Sequence, residues 1–320
     1  MDISTIIDKL AEMDICSVLT NEPLSKHTSI KIGGCANLFV NINSIIKLKK
    51  CINFLQKNNI EYFILGNGTN TLCSDNGFDG VVVCLGGQLK NFRIEGDGIF
   101  AEAGMNLFEL NKICRKFGLS GLEFSYGIPG SVGGAIAMNA GAFEHSVGDF
   151  VEYCILLKDG DLVKFGKEEM NFAYRTSIAQ SDNLIIVGAK FKLAKQNSRQ
   201  IETLQNECFQ KKLSAQPYSD LSFGSTFKRN LNFEPVSKII DCLGLKGYAV
   251  GGIAVSEKHA GFIVNKHHGT CKDCLKLIKY IREQVYAKYG FKPELEVKLL
   301  GVKQSDETLW WLSHTHNIQP

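Results

Sequence analysis

No run of this 320-residue chain stays apolar long enough to span a bilayer, which removes membrane-spanning helices from consideration. Charge of one sign is also scarce. The 36 Lys and Arg stand against 33 Asp and Glu, and a net of +3 is too small to argue for nucleic acid or an anionic membrane as the partner. A G-x-x-x-x-G-K-[ST] loop is missing throughout, and so is a G-x-G-x-x-G that opens a helix, so P-loop and Rossmann sites are excluded. The 11 cysteines, from Cys16 to Cys274, lack the paired rhythm of a disulfide framework and read as small buried hydrophobes. His267, His268, Cys271 and Cys274 have no second ligand pair at zinc-site spacing, so no metal is expected. The early acids of Met-Asp-Ile-Ser-Thr-Ile-Ile-Asp suit an amphipathic helix rather than a signal peptide, and the expected location is the cytoplasm. No internal repeat is present.

What is there begins with an ordinary globular composition, 44% apolar and 22% charged, long enough for two or three domains. Apolar positions Ile45, Leu48, Ile52 and Leu55 after Asn43-Ser44 predict a helix, followed by strands over 62–65 and 81–85. A helix is predicted from Leu107 to Phe117, stopped by Gly118, then strands near 151–157 and 184–193 and a polar helix near 198–213. Thr270 and Asp273 read as a capping box opening a helix with Cys274, Ile278, Ile281 and Val285 on one face. A strand is expected over 295–300. The tail after Gly301 carries Trp310 and Trp311, and the polar stretch 196–200 reads as a joint.

Two glycine-dense stretches carry the chemistry. Gly66-Asn-Gly-Thr-Asn70 follows a strand directly, and its successive N–H groups suit an anion-binding nest or a plain turn; residues 72–80 after it read as loop. Between Glu123 and Phe143 lie Gly127, Gly130, Gly133, Gly134 and Gly141, with Glu123 the only charge. Glycine is entropically costly to order, so such a run marks close approach of backbone to a phosphate, a flat cofactor ring or a neighbouring strand.

Together these pieces resemble a known family. Asn67-Gly-Thr-Asn70, Gly127-Ile-Pro-Gly-Ser-Val-Gly-Gly134 and Met138-Asn-Ala-Gly141 resemble the FAD domain of the vanillyl-alcohol-oxidase-like (PCMH-type) flavoproteins. Five further segments are similar to those of the UDP-N-acetylenolpyruvoylglucosamine reductase (MurB) family. They are His27-Thr-Ser-Ile-Lys-Ile-Gly-Gly34, Phe172-Ala-Tyr-Arg-Thr-Ser177, Phe223-Gly-Ser-Thr-Phe-Lys228, Lys258-His-Ala-Gly-Phe-Ile-Val-Asn265 and Glu294-Leu-Glu-Val-Lys-Leu-Leu-Gly301. The similarity is collinear from about residue 20 to 301. The short spacing between Arg175 and Ser225 resembles the subtype without a substrate-capping insertion.

The resemblance implies an α+β fold: FAD-binding parts at 1–86 and 87–196, a substrate-binding domain at 197–303 and a tail at 304–320. It also implies a monomer using noncovalent FAD and NADPH to reduce the enolpyruvyl ether of a UDP-sugar to the lactyl ether of UDP-N-acetylmuramate, for peptidoglycan. Hydride from flavin N5 goes to C3 and a proton to C2. No histidine lies between His27 and His145 to tether a flavin near the first turn.

By the same resemblance the flavin contacts are Gly66, Asn67, Gly68, Thr69, Asn70, Tyr126, Gly127, Ile128, Pro129, Gly130, Ser131, Gly133, Gly134, Asn139, Ala140 and Gly141. Ser225 is the proton donor, and Glu296 holds the enolate-stabilising network or acts with Arg175, with Glu294 a rival two residues away on the same strand face. Arg175 brings the always-charged planar fork that suits a carboxylate. Tyr174, Lys228, Arg229 and His259 are substrate contacts. Departures include Leu295 between the two glutamates, where the family has proline, and Phe143-Glu-His-Ser after Ala142. Two other readings compete: a different noncovalent FAD oxidoreductase of the superfamily, and a catalytically silent sugar-nucleotide-binding protein. The second requires a missing Arg, Ser or Glu, and all three are present.

Overall fold

Hydrophobic periodicity finds its elements where the pattern is local. In the computed structural model, which describes residues 2–15, 17–180, 184–230 and 232–302, Asp2 caps a helix Ile3–Glu12 that buries Ile6 and Leu10. Ser44 precedes the helix Ile45–Lys57, whose Leu48, Cys51, Ile52 and Leu55 are buried. Asn106 caps Leu107–Lys116 by accepting from Phe108 N–H at 2.8 Å, and Gly118 follows at φ +61°. The tail from 304, with both tryptophans, lies outside the described residues.

The chain divides into two compact units. The first comprises Met1–Thr20, Leu38–Asn67 and Gly80–Ser214. Its larger sheet is antiparallel, in the order Asp161–Gly166, Val151–Lys158, Leu184–Lys192, Gly98–Glu102, Phe92–Glu95. Helices Leu107–Lys116 and Val132–Ala137 contribute Leu110, Cys114, Val132 and Ile136 to the core that also holds Ile99, Leu156 and Phe191. A second core in this unit gathers helix Ile45–Lys57 with Leu38, Val40, Val81 and Val83. Strands Tyr62–Leu65 and Phe78–Cys84 run parallel there, Tyr62 opposite Val81. The helix Ser198–Ala215 is polar on most of its surface but buries Ile201, Gln205 and Lys212.

The second unit comprises Asn21–Asn37, Gly68–Asp79 and Ala215–Pro320. Its antiparallel sheet runs Leu221–Ser225, Phe262–Asn265, Ile253–Val255, Ala249–Val250. The helix Cys271–Tyr289 opens with the expected Thr270/Asp273 capping box and buries Cys274, Ile278, Ile281 and Val285. Asp75 adds to that cap, accepting from Cys271 N–H at 2.8 Å and Lys272 N–H at 2.9 Å.

Two expectations need correction, and one helix was not anticipated. The loop expected over 72–80 is shorter at both ends: Thr71–Cys73 is a short strand paired in parallel with Lys298–Leu300, more than two hundred residues away, a partner no local pattern announces, and the next strand begins at Phe78. The C-terminal strand is shorter than 295–300; Leu295 forms an isolated bridge to Phe227 and regular pairing begins at Lys298. The glycine-rich run holds a helix, Val132–Ala137, capped by Ser131. The low helix propensity of Gly133 and Gly134 conceals it. With helices and sheets in both units, the α+β class stands.

Candidate active site

In the first unit, the turn after Tyr62–Leu65 meets the glycine-rich run. A Cβ on Gly66 would overlap Ser131 Oγ while making only ordinary contact with Ser131 Cβ, so glycine at 66 is what leaves the serine hydroxyl in its present rotamer. Ser131 Oγ accepts from Gly134 N–H at 3.3 Å. A pocket of about 170 Å³ opens here, with Gly66, Ser131, Gly133 and Gly134 on one side and Ile64, Leu85, Ile185 and Ile186 among its apolar walls. A few convergent polar groups in an otherwise apolar concavity are what an organic cofactor requires. The residues present therefore fit a slender part of FAD.

The fit is not the one backbone nests would provide. Val132 N–H donates to Met105 O at 2.8 Å and Gly133 N–H to Ala103 O at 2.8 Å. With Gly134 committed to Ser131, this stretch offers small size and a serine hydroxyl, not free amides. A Cβ on Gly133 would also stand 2.8 Å from Ala103 Cβ, so that glycine serves close packing on the turn just after the strand Gly98–Glu102. Tyr126 is 8% exposed, with its ring stacked on Phe108 at 4.3 Å and edge-on to Phe209. Asn139 accepts from Gly148 N–H at 3.0 Å and donates to Ala173 O at 2.9 Å.

Lys212 escaped the sequence reading because a lysine in a polar helix looks solvated. It is 4% exposed, and its ammonium donates to Phe124 O at 2.7 Å and Tyr126 O at 2.9 Å, the residues just before Gly127. Burial pulls its pKa down to about 8. Ile128, Pro129 and Gly130 follow that anchored stretch, and Gly130 O accepts from Leu107 N–H at 3.0 Å. Arg175 projects from a tight turn of the same unit, its Nη2 donating to Gly141 O at 3.2 Å and its guanidinium 5.0 Å from the centre of the Tyr174 ring. Tyr174 is exposed.

The second unit brings Ser225, Glu296 and the 68–70 turn together. Gly224 adopts φ +82°, a left-handed conformation that glycine accepts without strain, where the pairing with Phe262–Asn265 shifts register between Ser222 and Ser225. Such a bulge re-aims the next side chain, and here that is Ser225. Thr226 O accepts from Glu296 N–H at 2.9 Å, and Lys228 N–H donates to Glu294 O at 2.9 Å, so the two stretches lie side by side. Asn70 ties the turn to them: its Nδ2 donates to Glu296 O at 3.0 Å, and its carbonyl accepts from Lys298 N–H at 3.0 Å. Ser29 Oγ donates to Ser222 O at 2.6 Å, and Ser29 N–H to Gly68 O at 3.1 Å.

The rival glutamates separate here. Glu294 is exposed and pairs with Lys228 at 3.3 Å, whereas Glu296 is partly buried against the Asn70 turn. Neither lies in the regular strand, so the shared strand face expected for them is absent. His259 Nδ1 accepts from Gly261 N–H at 3.1 Å, which assigns its ring proton to Nε2, and burial lowers its pKa, so the ring is a neutral donor. Arg229 is exposed. Lys298, whose pKa is lowered by burial and by the neighbouring Lys228, joins the basic groups of this region.

Comparisons with known proteins agree along the chain. Residues 36–166 match the model of an FAD binding domain, and residues 216–300 match UDP-N-acetylenolpyruvoylglucosamine reductase, C-terminal domain. The UDP-N-acetylenolpyruvoylglucosamine reductase of Syntrophomonas wolfei is 42% identical over 282 residues, 88% of this chain and 94% of that one. This chain belongs to the UDP-N-acetylenolpyruvoylglucosamine reductase family. The Caldanaerobacter subterraneus member is 41% identical over 300 residues, covering 93% of this chain and 99% of its own. The crystal structure of the family member from Thermus caldophilus superposes with a TM-score of 0.76 at 29% identity, over 89% of this chain and 98% of that one. The departures at Leu295 and Phe143 therefore leave family and fold intact. Among the described residues no helix is long and apolar enough to cross a membrane, and no three His, Cys, Asp or Glu are grouped to hold a metal.

Proposed function

We propose that this chain is an FAD-dependent reductase that uses NADPH to convert UDP-N-acetylglucosamine enolpyruvate to UDP-N-acetylmuramate in the cytoplasm, for peptidoglycan synthesis. Residues 1–86 and 87–196 supply the FAD-binding parts and 197–303 the sugar-nucleotide domain. The observation that carries the reading is the convergence of the Ser225 bulge, Glu296 and the Asn70 turn, in a chain whose relatives carry this name over nearly their whole length.

FAD, when bound, supplies the two-electron chemistry that links NADPH to the enolpyruvyl double bond. The pocket beside Gly66, Ser131 and Gly134 holds part of it, and the bond network around Lys212 and Asn139 keeps the surrounding backbone in one conformation. As C3 gains hydrogen, negative charge spreads over C2 and the carboxylate of the substrate. Arg175 meets that carboxylate with its planar fork, and preorganised charge of this kind is commonly the largest catalytic term. Ser225, aimed by the Gly224 bulge, gives its proton to C2, a placed acid worth roughly 10²–10⁴-fold. Glu296, its backbone anchored by Asn70 and Thr226, serves the network that stabilises the enolate. His259 Nε2–H and Lys228 donate to substrate oxygens, with Arg229 and Tyr174 at the exposed margin.

NADPH oxidation followed with and without UDP-N-acetylglucosamine enolpyruvate tests the assignment: turnover depends on the enolpyruvyl sugar, and the protein is yellow with flavin released on denaturation. Turnover indifferent to the sugar refutes the substrate, and folded protein free of flavin refutes the cofactor. Ser225→Ala leaves flavin reduction by NADPH nearly intact while slowing enolpyruvyl reduction by roughly 10²-fold or more. Equal losses in both half-reactions reject its role.

A further inference from the structure

Arg175 sits at φ +56°, a left-handed conformation that a non-glycine residue adopts only when its surroundings impose it. The turn that carries it is minimal: Ala173 and Thr176 bond to each other in both directions, at 3.1 and 3.2 Å. Its neighbours tie it to the end of the glycine-rich run. Asn139 donates to Ala173 O at 2.9 Å, and Ser177 Oγ donates to Ala137 O at 3.0 Å. Gln180 does more than either. Its single amide nitrogen donates to Ala137 O at 2.9 Å and to the carbonyl of Arg175 itself at 2.9 Å. Ala137 closes the helix Val132–Ala137, where carbonyls have no intrahelical partner, so the amide shares that carbonyl with Ser177 Oγ and clamps the peptide plane after Arg175 at once.

We propose that Gln180 is a positioning residue for Arg175, its amide holding the arginine turn against the end of the glycine-rich run. The inference rests on the reading that Arg175 meets the substrate carboxylate. The lever is long: a backbone rotation of about 10° at Arg175 swings a guanidinium on the order of 6 Å away by about 1 Å, an error that costs about a hundredfold in rate. A clamp on the Arg175 carbonyl removes that freedom, whereas a bond to the side chain alone leaves it.

Gln180→Leu removes the donors at similar volume, and Gln180→Glu keeps the length but turns an acceptor toward two carbonyls. Both are compared as FAD-loaded protein with the parent. Enolpyruvyl reduction falls by about 10- to 100-fold in each while flavin reduction by NADPH changes less than about twofold. The amides of Ala173 and Thr176 exchange hydrogen at least about tenfold faster, a readout independent of turnover. In an Arg175→Ala background, Gln180→Leu adds less than about a twofold loss, because the lever is already gone. Losses that multiply in that background, equal losses in both half-reactions, or FAD loss in both variants without a selective effect overturn the proposal and leave Gln180 a structural residue. Parental turnover with both variants at parental rates also overturns it, whereas a parent inactive on the enolpyruvyl sugar refutes the underlying reading of function.

Discussion

Gly66 and Ser131 provide a test of how the glycines build the cofactor pocket. Gly66→Ala places a methyl where Ser131 Oγ now lies, but the same methyl would be 3.5 Å from Ser131 Cβ, an ordinary contact. The hydroxyl must therefore swing away and release its 3.3 Å bond to Gly134 N–H. Losing that cap costs about 1 kcal/mol, and the displaced rotamer about 1 kcal/mol more. The smaller conformational freedom of unfolded alanine returns about 0.5 kcal/mol, because Gly66 has no left-handed φ to strain. The single variant is thus destabilised by about 1.5 kcal/mol, and Ser131→Ala by about 1 kcal/mol. In the double variant the cap is lost once and nothing collides, so the loss is about 0.5 kcal/mol against about 2.5 for independent effects, a coupling of about 2 kcal/mol. Urea unfolding of the four proteins without added flavin reads this cycle. Flavin titration supplies the contrast: the double variant regains stability but binds FAD no better than either single, since the methyl remains in the pocket wall and the hydroxyl is gone. Additivity within about 0.5 kcal/mol would falsify the steric argument.

Three further outcomes follow from other parts of the molecule. Lys212 releases its proton near pH 8 in the native state and near 10.5 unfolded; between these the unfolded chain binds more protons, so this residue makes stability rise with pH. The stability of the parent relative to Lys212→Met therefore rises from pH 7.5 to 9.5, and a constant difference in denaturant midpoints defeats the assignment. Asn70→Ala unties the turn from Glu296 O, so enolpyruvyl reduction drops by about tenfold or more while FAD affinity changes less. A loss of FAD binding with the enolpyruvyl step unchanged returns Asn70 to a purely flavin-holding role. Thr270→Ala removes the side-chain cap of Cys271–Tyr289 and lowers stability by about 1 kcal/mol, measured by thermal or urea unfolding; no change shows that Asp75 alone suffices.

Much of this was legible because it is local. The helices Ile45–Lys57 and Cys271–Tyr289 carry their apolar faces in consecutive residues, and the capping box at Thr270 opens the second of them, which buries Cys271 and Cys274. The glycine-rich run marked close backbone approach, and the pocket beside Ser131 lies there. Its chemistry was harder to read. Which amides are free depends on Ala103 and Met105, and those partners appear only when the chain is folded.

By itself the sequence determined the α+β class, the family and the residue types on which the proposed chemistry depends, since caps, periodicity and short motifs are written in neighbouring positions. Tertiary structure alone decided which carbonyls Lys212 and Gln180 hold, which strand Thr71–Cys73 meets, and how Glu294 and Glu296 differ. Each of these is a pairing between distant residues, and a hydrogen bond or ion pair is specified by distance and direction in space, quantities that the order of residues does not carry.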